Sequence, residues 1–125
     1  EVDEKRLDRA VLKGNNLNNI KVVYFTGPLF FATAEKFKNE VLSIKDAKVI
    51  ILSMRGVPLI DTSALQALSE MIEEVENRNC KIMLCGLQQP VKELIDKSGF
   101  AEKLGSNMIF WSADQAIKTA ETLIA

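Results

Sequence analysis

Three consecutive side chains that carry oxygen, Asp61, Thr62 and Ser63, offer the most chemistry in this sequence. They precede an apolar pattern with helical spacing, so we expect them at the start of a helix. Backbone N–H groups and the positive end of the helix dipole favour an anion or an added phosphate there. Such residues more commonly serve only as helix caps, and in that interpretation Asp61 or Thr62 caps the helix. Arg55 begins the same loop and belongs to the same candidate anion site.

The composition argues against an enzyme. The sequence contains no histidine, and histidine is the commonest general base and the commonest metal ligand. Ser63 therefore lacks a histidine base, and Cys80 and Cys85 cannot complete a four-ligand zinc site. The sequence contains neither a Walker A pattern nor a G-x-G-x-x-G fingerprint. Asp61 is the single acid near the loop, whereas a magnesium-dependent phosphoacceptor needs several acids. We expect no catalysis, no metal and no cofactor.

Charge and hydropathy restrict the partners of this segment. The chain has 16 Lys and Arg residues against 17 Asp and Glu residues, so it has no global field that would hold a polyanion. We expect no nucleic acid partner. Its longest apolar runs, such as residues 49–52, are far shorter than the roughly 20 residues of a membrane span. We therefore expect no direct membrane insertion of this segment. The first residue is Glu1 rather than Met, which suggests a piece of a longer protein or a chain that has lost its first residues.

The hydrophobic periodicity predicts an α/β fold with a mainly parallel central sheet of four to five strands and about four to five helices. Runs rich in β-branched and apolar residues predict strands at 20–26, 49–52, 81–87 and 108–111. Apolar residues at steps of three and four predict helices that begin near Thr33, Asp61, Pro90 and Ser112. Gly99 should end the third helix, and Ser112 with Gln115 forms a capping-box pattern for the last one.

The predicted domain occupies residues 20–125. Residues 1–19 are charged and then rich in asparagine, which predicts a lead-in or linker with a candidate first edge strand at 10–13. The 125-residue length and the 47% hydrophobic content suit one domain with one core.

Three aromatic residues allow two interpretations. Phe30 and Phe31 could anchor a partner, since exposed aromatic residues often do so at interfaces. We instead expect at least one of them to lie in the core, and we expect the same of Trp111. Both cysteines suit a reducing compartment, with Cys85 as a small buried hydrophobe and Cys80 in a polar turn.

Two stretches resemble a known family, the STAS domains, which are named after sulfate transporters and anti-sigma factor antagonists. Residues 27–35, with the sequence GPLFFATAE, resemble the strand-to-helix turn in the tails of SulP (sulfate permease) transporters. Residues 58–65, with the sequence PLIDTSAL, resemble the loop that is common to both branches. The resemblance extends from about Ile20 to the C-terminus, and it implies the STAS fold.

The resemblance to the transporter branch implies a cytoplasmic regulatory domain of a SulP-type secondary anion transporter for sulfate or bicarbonate. Its partner would be the membrane domain of the same polypeptide, at the cytoplasmic face of the bacterial inner membrane. A regulatory protein or a nucleotide is a further candidate partner. The loop residues implicated in binding an anion, a nucleotide or a partner are Arg55, Pro58, Asp61, Thr62, Ser63, Pro28 and Phe30.

The alternative is a free-standing switch that resembles the anti-sigma factor antagonists. In those proteins a serine of this loop is phosphorylated by a partner kinase, and Ser63 falls on the acceptor position with Thr62 before it. The antagonists usually have glycine after the acceptor, whereas this sequence has Ala64. A phosphate on Ser63 is expected to stabilise the helix locally and to repel acidic partners.

Overall fold

A computed structural model describes residues 19–45, 47–104 and 108–124. The described elements alternate between strand and helix, with one additional short helix. The strands are β1 (Ile20–Thr26), β2 (Val49–Gly56), β3 (Lys81–Cys85) and β4 (Ile109–Phe110). The helices are α1 (Phe31–Leu42), α2 (Thr62–Glu76), α3 (Gln89–Ser98), α4 (Phe100–Leu104) and α5 (Ala113–Ile124). The predicted edge strand at 10–13 lies outside the described residues.

The four strands form one sheet in the order β1-β2-β3-β4, and every neighbouring pair is parallel. The predicted α/β class and the parallel sheet are therefore confirmed. Parallel sheets are normally covered on both faces, which explains the continuous apolar run of β2. That strand is central, and its first six residues are all buried.

Two hydrophobic cores lie on opposite faces of the sheet because side chains alternate along each strand. One core joins the sheet to α1, α2, α3 and α4. The rings of Phe25 on β1 and Phe37 on α1 stack there with centroids 4.1 Å apart. The opposite core joins the sheet to α5 through Ala116, Ile117 and Ala120. The start of α5 therefore lies on the face away from the other described helices.

Some predicted boundaries are wrong. Helix α1 begins at Phe31, and its N-cap is Phe30, which makes no capping hydrogen bond through its side chain. Thr33 is therefore a residue of the first turn and not the N-cap. Strand β2 continues to Gly56, beyond the predicted end at residue 52, because Met54 still faces the core. Helix α4 was not predicted. Helix α3 has Pro90 in its first turn and Gly99 as its C-cap, as expected.

Candidate functional site

The loops after β1 and β2 lie side by side beyond the carboxyl ends of the strands. An isolated parallel bridge joins Leu29 to Ile60. The Leu29 amide donates to the Leu59 carbonyl at 3.0 Å, and the Asp61 amide donates to the Leu29 carbonyl at 3.1 Å. Leu29 and Ile60 are both buried, so each loop is fixed to the core at this bridge.

Asp61 is the N-cap of α2. Its Oδ1 accepts hydrogen bonds from the Ala64 amide and from the Ser63 hydroxyl, each at 2.8 Å. The capping interpretation of the three-residue run is thus correct for Asp61. Thr62 and Ser63 follow in the first turn with exposed side chains. The hydroxyl of Ser63 is accessible, although its proton is directed towards a carboxylate.

Five exposed residues, which we call the apolar rim, surround the bridge. They are Pro28, Phe30, Phe31, Pro58 and Leu59. Phe30 is 47% exposed, Phe31 is 53% exposed and Leu59 is 43% exposed. The expectation that at least one of the two phenylalanines lies in the core is wrong. Leu29 occupies the inward position between strand and helix, and side-chain alternation turns Phe30 outward.

Arg55 lies apart from the other predicted site residues. Along β2 it follows Met54, which faces the core under α2, so alternation directs Arg55 towards the α5 face. There it lines a cleft of about 410 Å³ together with residues of β1, β3 and the start of α5. None of Pro28, Phe30, Pro58, Asp61, Thr62 and Ser63 is among the residues that line this cleft. The predicted site residues therefore lie in two separate places, on opposite faces of the sheet near the carboxyl ends of the strands.

Sequence reasoning missed the other residues of the cleft. Tyr24, Ser53, Cys85 and Ser112 all line it. Ser53 offers a signal that could have been used, since it is a polar residue within the apolar run of β2 and is only 5% exposed. Ser112 was identified only as a cap. Its hydroxyl oxygen accepts from the Gln115 amide at 3.3 Å, and Gln115 Oε1 accepts from the amide of Trp111 at 3.1 Å.

Both cysteines are buried free thiols. Burial raises the pKa of the Cys80 thiol from 9.0 to about 11, against an opposing effect of the Arg78 charge. Burial also raises the pKa of Cys85, while the Ser53 hydroxyl and the Arg55 charge act in the opposite direction. Cys80 directly follows the polar turn at 77–79, in line with the prediction, but its side chain is buried in the core together with residues of α2.

Trp111 is 78% exposed, so its expected place in the core is also wrong. Trp111 directly follows β4. This edge strand has only two residues and ends before Trp111, so the indole ring is not held against a face of the sheet.

The described residues contain no group of three or more histidine, cysteine, aspartate or glutamate side chains that could hold a metal ion. Within the same residues, no helix has the length and the apolar character needed to cross a bilayer.

Comparison with known proteins places the chain in a family. Residues 13–116 match the STAS domain family. The chain is 32% identical over 99 residues to a Bacillus subtilis protein named as a sulfate transporter, YvdB. That match covers 78% of this chain but only 19% of YvdB, so the chain spans about a fifth of the relative's length.

Solved structures of STAS domains also resemble this chain. A sulfate transporter family protein from Wolinella succinogenes has a TM-score of 0.77 and 33% identity, and the match covers 84% of this chain and 87% of that chain. The SulP transporter STAS domain from Vibrio cholerae has a TM-score of 0.75 and 27% identity, with coverage of 97% and 94%. An anti-sigma factor antagonist from Mycobacterium paratuberculosis has a TM-score of 0.71 at 12% identity, with coverage of 83% and 87%, and so shares the fold alone. The chain belongs to the STAS domain family, in the branch that includes the STAS domains of SulP sulfate transporters.

Proposed function

We propose that this chain is the cytoplasmic regulatory domain of a SulP-type secondary anion transporter for sulfate or bicarbonate. It acts by binding and not by catalysis. Its main partner is the membrane domain of the same polypeptide, at the cytoplasmic face of the bacterial inner membrane. This chain matches about a fifth of a relative that is named as a sulfate transporter. The match supports the proposal, since in such a transporter the domain would be joined to a larger membrane part.

The apolar rim is the observation from which we infer where the domain contacts its membrane domain. Two phenylalanine rings and one leucine stay about half exposed although a buried bridge lies directly beneath them. Exposed aromatic residues on a rigid base lose little side-chain freedom when they are covered, which makes them efficient anchors. We therefore assign the apolar rim to the contact with the membrane domain.

A binding experiment tests this assignment. The 125-residue chain would be titrated against the membrane domain of its parent transporter in detergent, with microscale thermophoresis as the readout. Replacing Phe30 and Phe31 together by serine should weaken binding by at least about tenfold, since buried interface aromatics contribute on the order of 1–2 kcal/mol each.

The matched control is Leu123→Ser, because Leu123 is also 47% exposed but lies near the end of α5. Its affinity should equal that of the wild type. Equal affinities for the wild type and the rim variant would exclude the apolar rim as the docking surface. A parent reading frame without hydrophobic spans would exclude the transporter assignment itself.

The exposed hydroxyl of Ser63 supports a second candidate function. In that candidate the chain is a free-standing switch phosphorylated at Ser63 by a partner kinase. Incubation with the cognate kinase and labelled ATP should then transfer phosphate to the wild type. Ser63→Ala should abolish the transfer while Thr62→Ala retains it. Absence of label in the wild type would remove this candidate.

A further inference from the structure

The cleft that Arg55 lines is open to solvent and has both polar and apolar walls. Its base includes Ser53 and Cys85, which are 5% and 1% exposed. Tyr24 and Ala113 supply further wall from β1 and from the start of α5. Its volume of about 410 Å³ falls in the range of small-molecule sites.

The backbone of Arg55 is held in place at this cleft, and its side chain is exposed. Its carbonyl accepts a hydrogen bond of 2.7 Å from Gln88 Nε2. Gly86 packs against its stem so closely that an added Cβ would lie 3.2 Å from Arg55 Cβ. Within the described part of the chain Arg55 makes no ion pair. Burial raises the pKa of the Cys85 thiol, and the Arg55 charge acts against that rise, as expected of a cation near the base of the cleft.

The charges in the cleft limit the class of ligand. Asp114, whose side chain is exposed, also lines it and opposes Arg55 with one negative charge. One cation facing one acid leaves the second negative charge of a dianion or a polyphosphate uncompensated, whereas a single carboxylate needs only the planar fork of Arg55, with which it can form two hydrogen bonds. The surfaces of Tyr24, Cys85 and Ala113 favour an apolar body behind that carboxylate.

We propose that this cleft binds a small organic molecule with one carboxylate on an apolar body, and that Arg55 supplies the counter-charge. This inference goes beyond the docking role proposed above and places a small-molecule site on the α5 side of the sheet. It does not involve the apolar rim.

The test uses the ¹⁵N-labelled 125-residue chain and four probes, benzoate, acetate, sulfate and ATP. Benzoate should shift the amide signals of Ser53, Gly86 and Ser112 saturably, and it should bind more tightly than the other three probes. Arg55→Gln should weaken benzoate binding by about tenfold or more, since it removes a hydrogen-bonded charge pair. Arg55→Lys keeps the charge but loses the fork, so its affinity should lie between those of the wild type and Arg55→Gln.

Lys81→Gln is the control, because it removes the same charge at the exposed start of β3, at the amino-terminal ends of the strands and away from the cleft. It should bind benzoate like the wild type. Asp114→Asn should improve sulfate binding more than benzoate binding. The amide spectrum of each variant verifies that it is folded.

Three outcomes would overturn the inference. They are no saturable shift with any probe, tighter binding of sulfate or ATP than of benzoate, and shifts confined to residues 61–63. Because docking to the membrane domain is measured separately through the apolar rim, failure of this test leaves the docking assignment intact. Failure of docking likewise leaves the cleft intact.

Discussion

Asp61 ties the start of α2 to the loop that precedes it. Its carboxylate accepts from the Ala64 amide and the Ser63 hydroxyl, while its own amide donates to Leu29. One side chain thus satisfies an unpaired N–H of the first turn and orients the candidate phosphoacceptor.

Replacing Asp61 by alanine should lower the free energy of unfolding by about 0.5–2 kcal/mol, the usual cost of losing an N-cap. Urea denaturation measures the change. Asp61→Asn keeps an acceptor and should cost less. Asp96→Ala removes a carboxylate whose ion pair with Lys92 is exposed, so it should change stability by less than about 0.5 kcal/mol. Equal losses for Asp61→Ala and Asp96→Ala would contradict the capping role.

A negative charge at Ser63 encounters the carboxylate of Asp61, whose Oδ1 lies 2.8 Å from the Ser63 oxygen. The expected stabilisation by the helix dipole, about 0.3–1 kcal/mol, is therefore offset by repulsion and by loss of the hydrogen bond. Ser63→Asp should leave the stability of the wild type unchanged or slightly lower, but it should stabilise an Asp61→Asn background. A double-mutant cycle in urea measures this coupling. Equal effects of Ser63→Asp in both backgrounds would contradict it.

At the scale of elements, the end of β2 is shaped by a register shift against β1. Tyr24 pairs with Ser53 and Thr26 pairs with Gly56, so β2 has one extra residue in this interval. At Gly56 an added Cβ would lie 2.7 Å from the Phe25 carbonyl oxygen. Close approach of the two backbones thus requires glycine at the end of the strand that carries Arg55.

Gly56→Ala should lower the free energy of unfolding by about 1–3 kcal/mol, because the new methyl group would press on a backbone atom that cannot rotate away. Thermal and urea denaturation both measure it. Gly27→Asn is the comparison, since nothing lies within 4 Å of an added Cβ there, so its cost should be limited to the backbone strain of a φ of +87° and should be the smaller of the two. A Gly56→Ala variant as stable as the wild type would show that the strands can separate.

The elements were largely predictable because local chemistry determines them. The apolar run of β2 and the three-to-four spacing of buried residues in α2 reflect burial directly. Exposure of single aromatic residues was not predictable, because Phe30, Phe31 and Trp111 have residue types that suit a core as well as a surface. Their exposure depends on the Leu29 to Ile60 bridge and on the shortness of β4, which are properties of the assembled sheet.

The candidate site was predictable only in part for a similar reason. The three-residue run at Asp61 follows from local capping preferences, so the sequence indicates it. The cleft brings Tyr24, Ser53 and Ser112 together from three separate segments. The spacing of these residues along the chain does not predict that they meet. The face of the sheet on which Arg55 lies depends on which residues of β2 point towards each face, and the sequence alone does not determine this.

At the scale of the whole molecule, two buried thiols connect stability to pH. The Cys80 pKa is raised from 9.0 to about 11 because its burial disfavours the thiolate. The folded state therefore keeps a proton that the unfolded chain releases first as the pH rises. Stability should fall as the pH increases from about 9 through 11.

Urea denaturation at about pH 8 and at about pH 10.5 measures this dependence for the wild type and for Cys80→Ala. The variant should be less stable at the lower pH, because a buried side chain is truncated, but should lose less stability on going to the higher pH. Lysine and tyrosine titration is common to both proteins and cancels in the difference. Parallel pH profiles for the two proteins would contradict the buried neutral thiol.

The central claim is that this domain regulates an anion transporter through its apolar rim. The direct measurement is uptake of labelled sulfate and bicarbonate into proteoliposomes that contain the full-length parent protein. The wild type would be compared with the variant that has serine at both Phe30 and Phe31, and with Leu123→Ser, at equal amounts of inserted protein. We predict a change in uptake of at least several-fold for the rim variant alone, since disrupting a hot-spot pair of about 1–2 kcal/mol per residue shifts docking by that order. Identical uptake by all three proteins would contradict the claim.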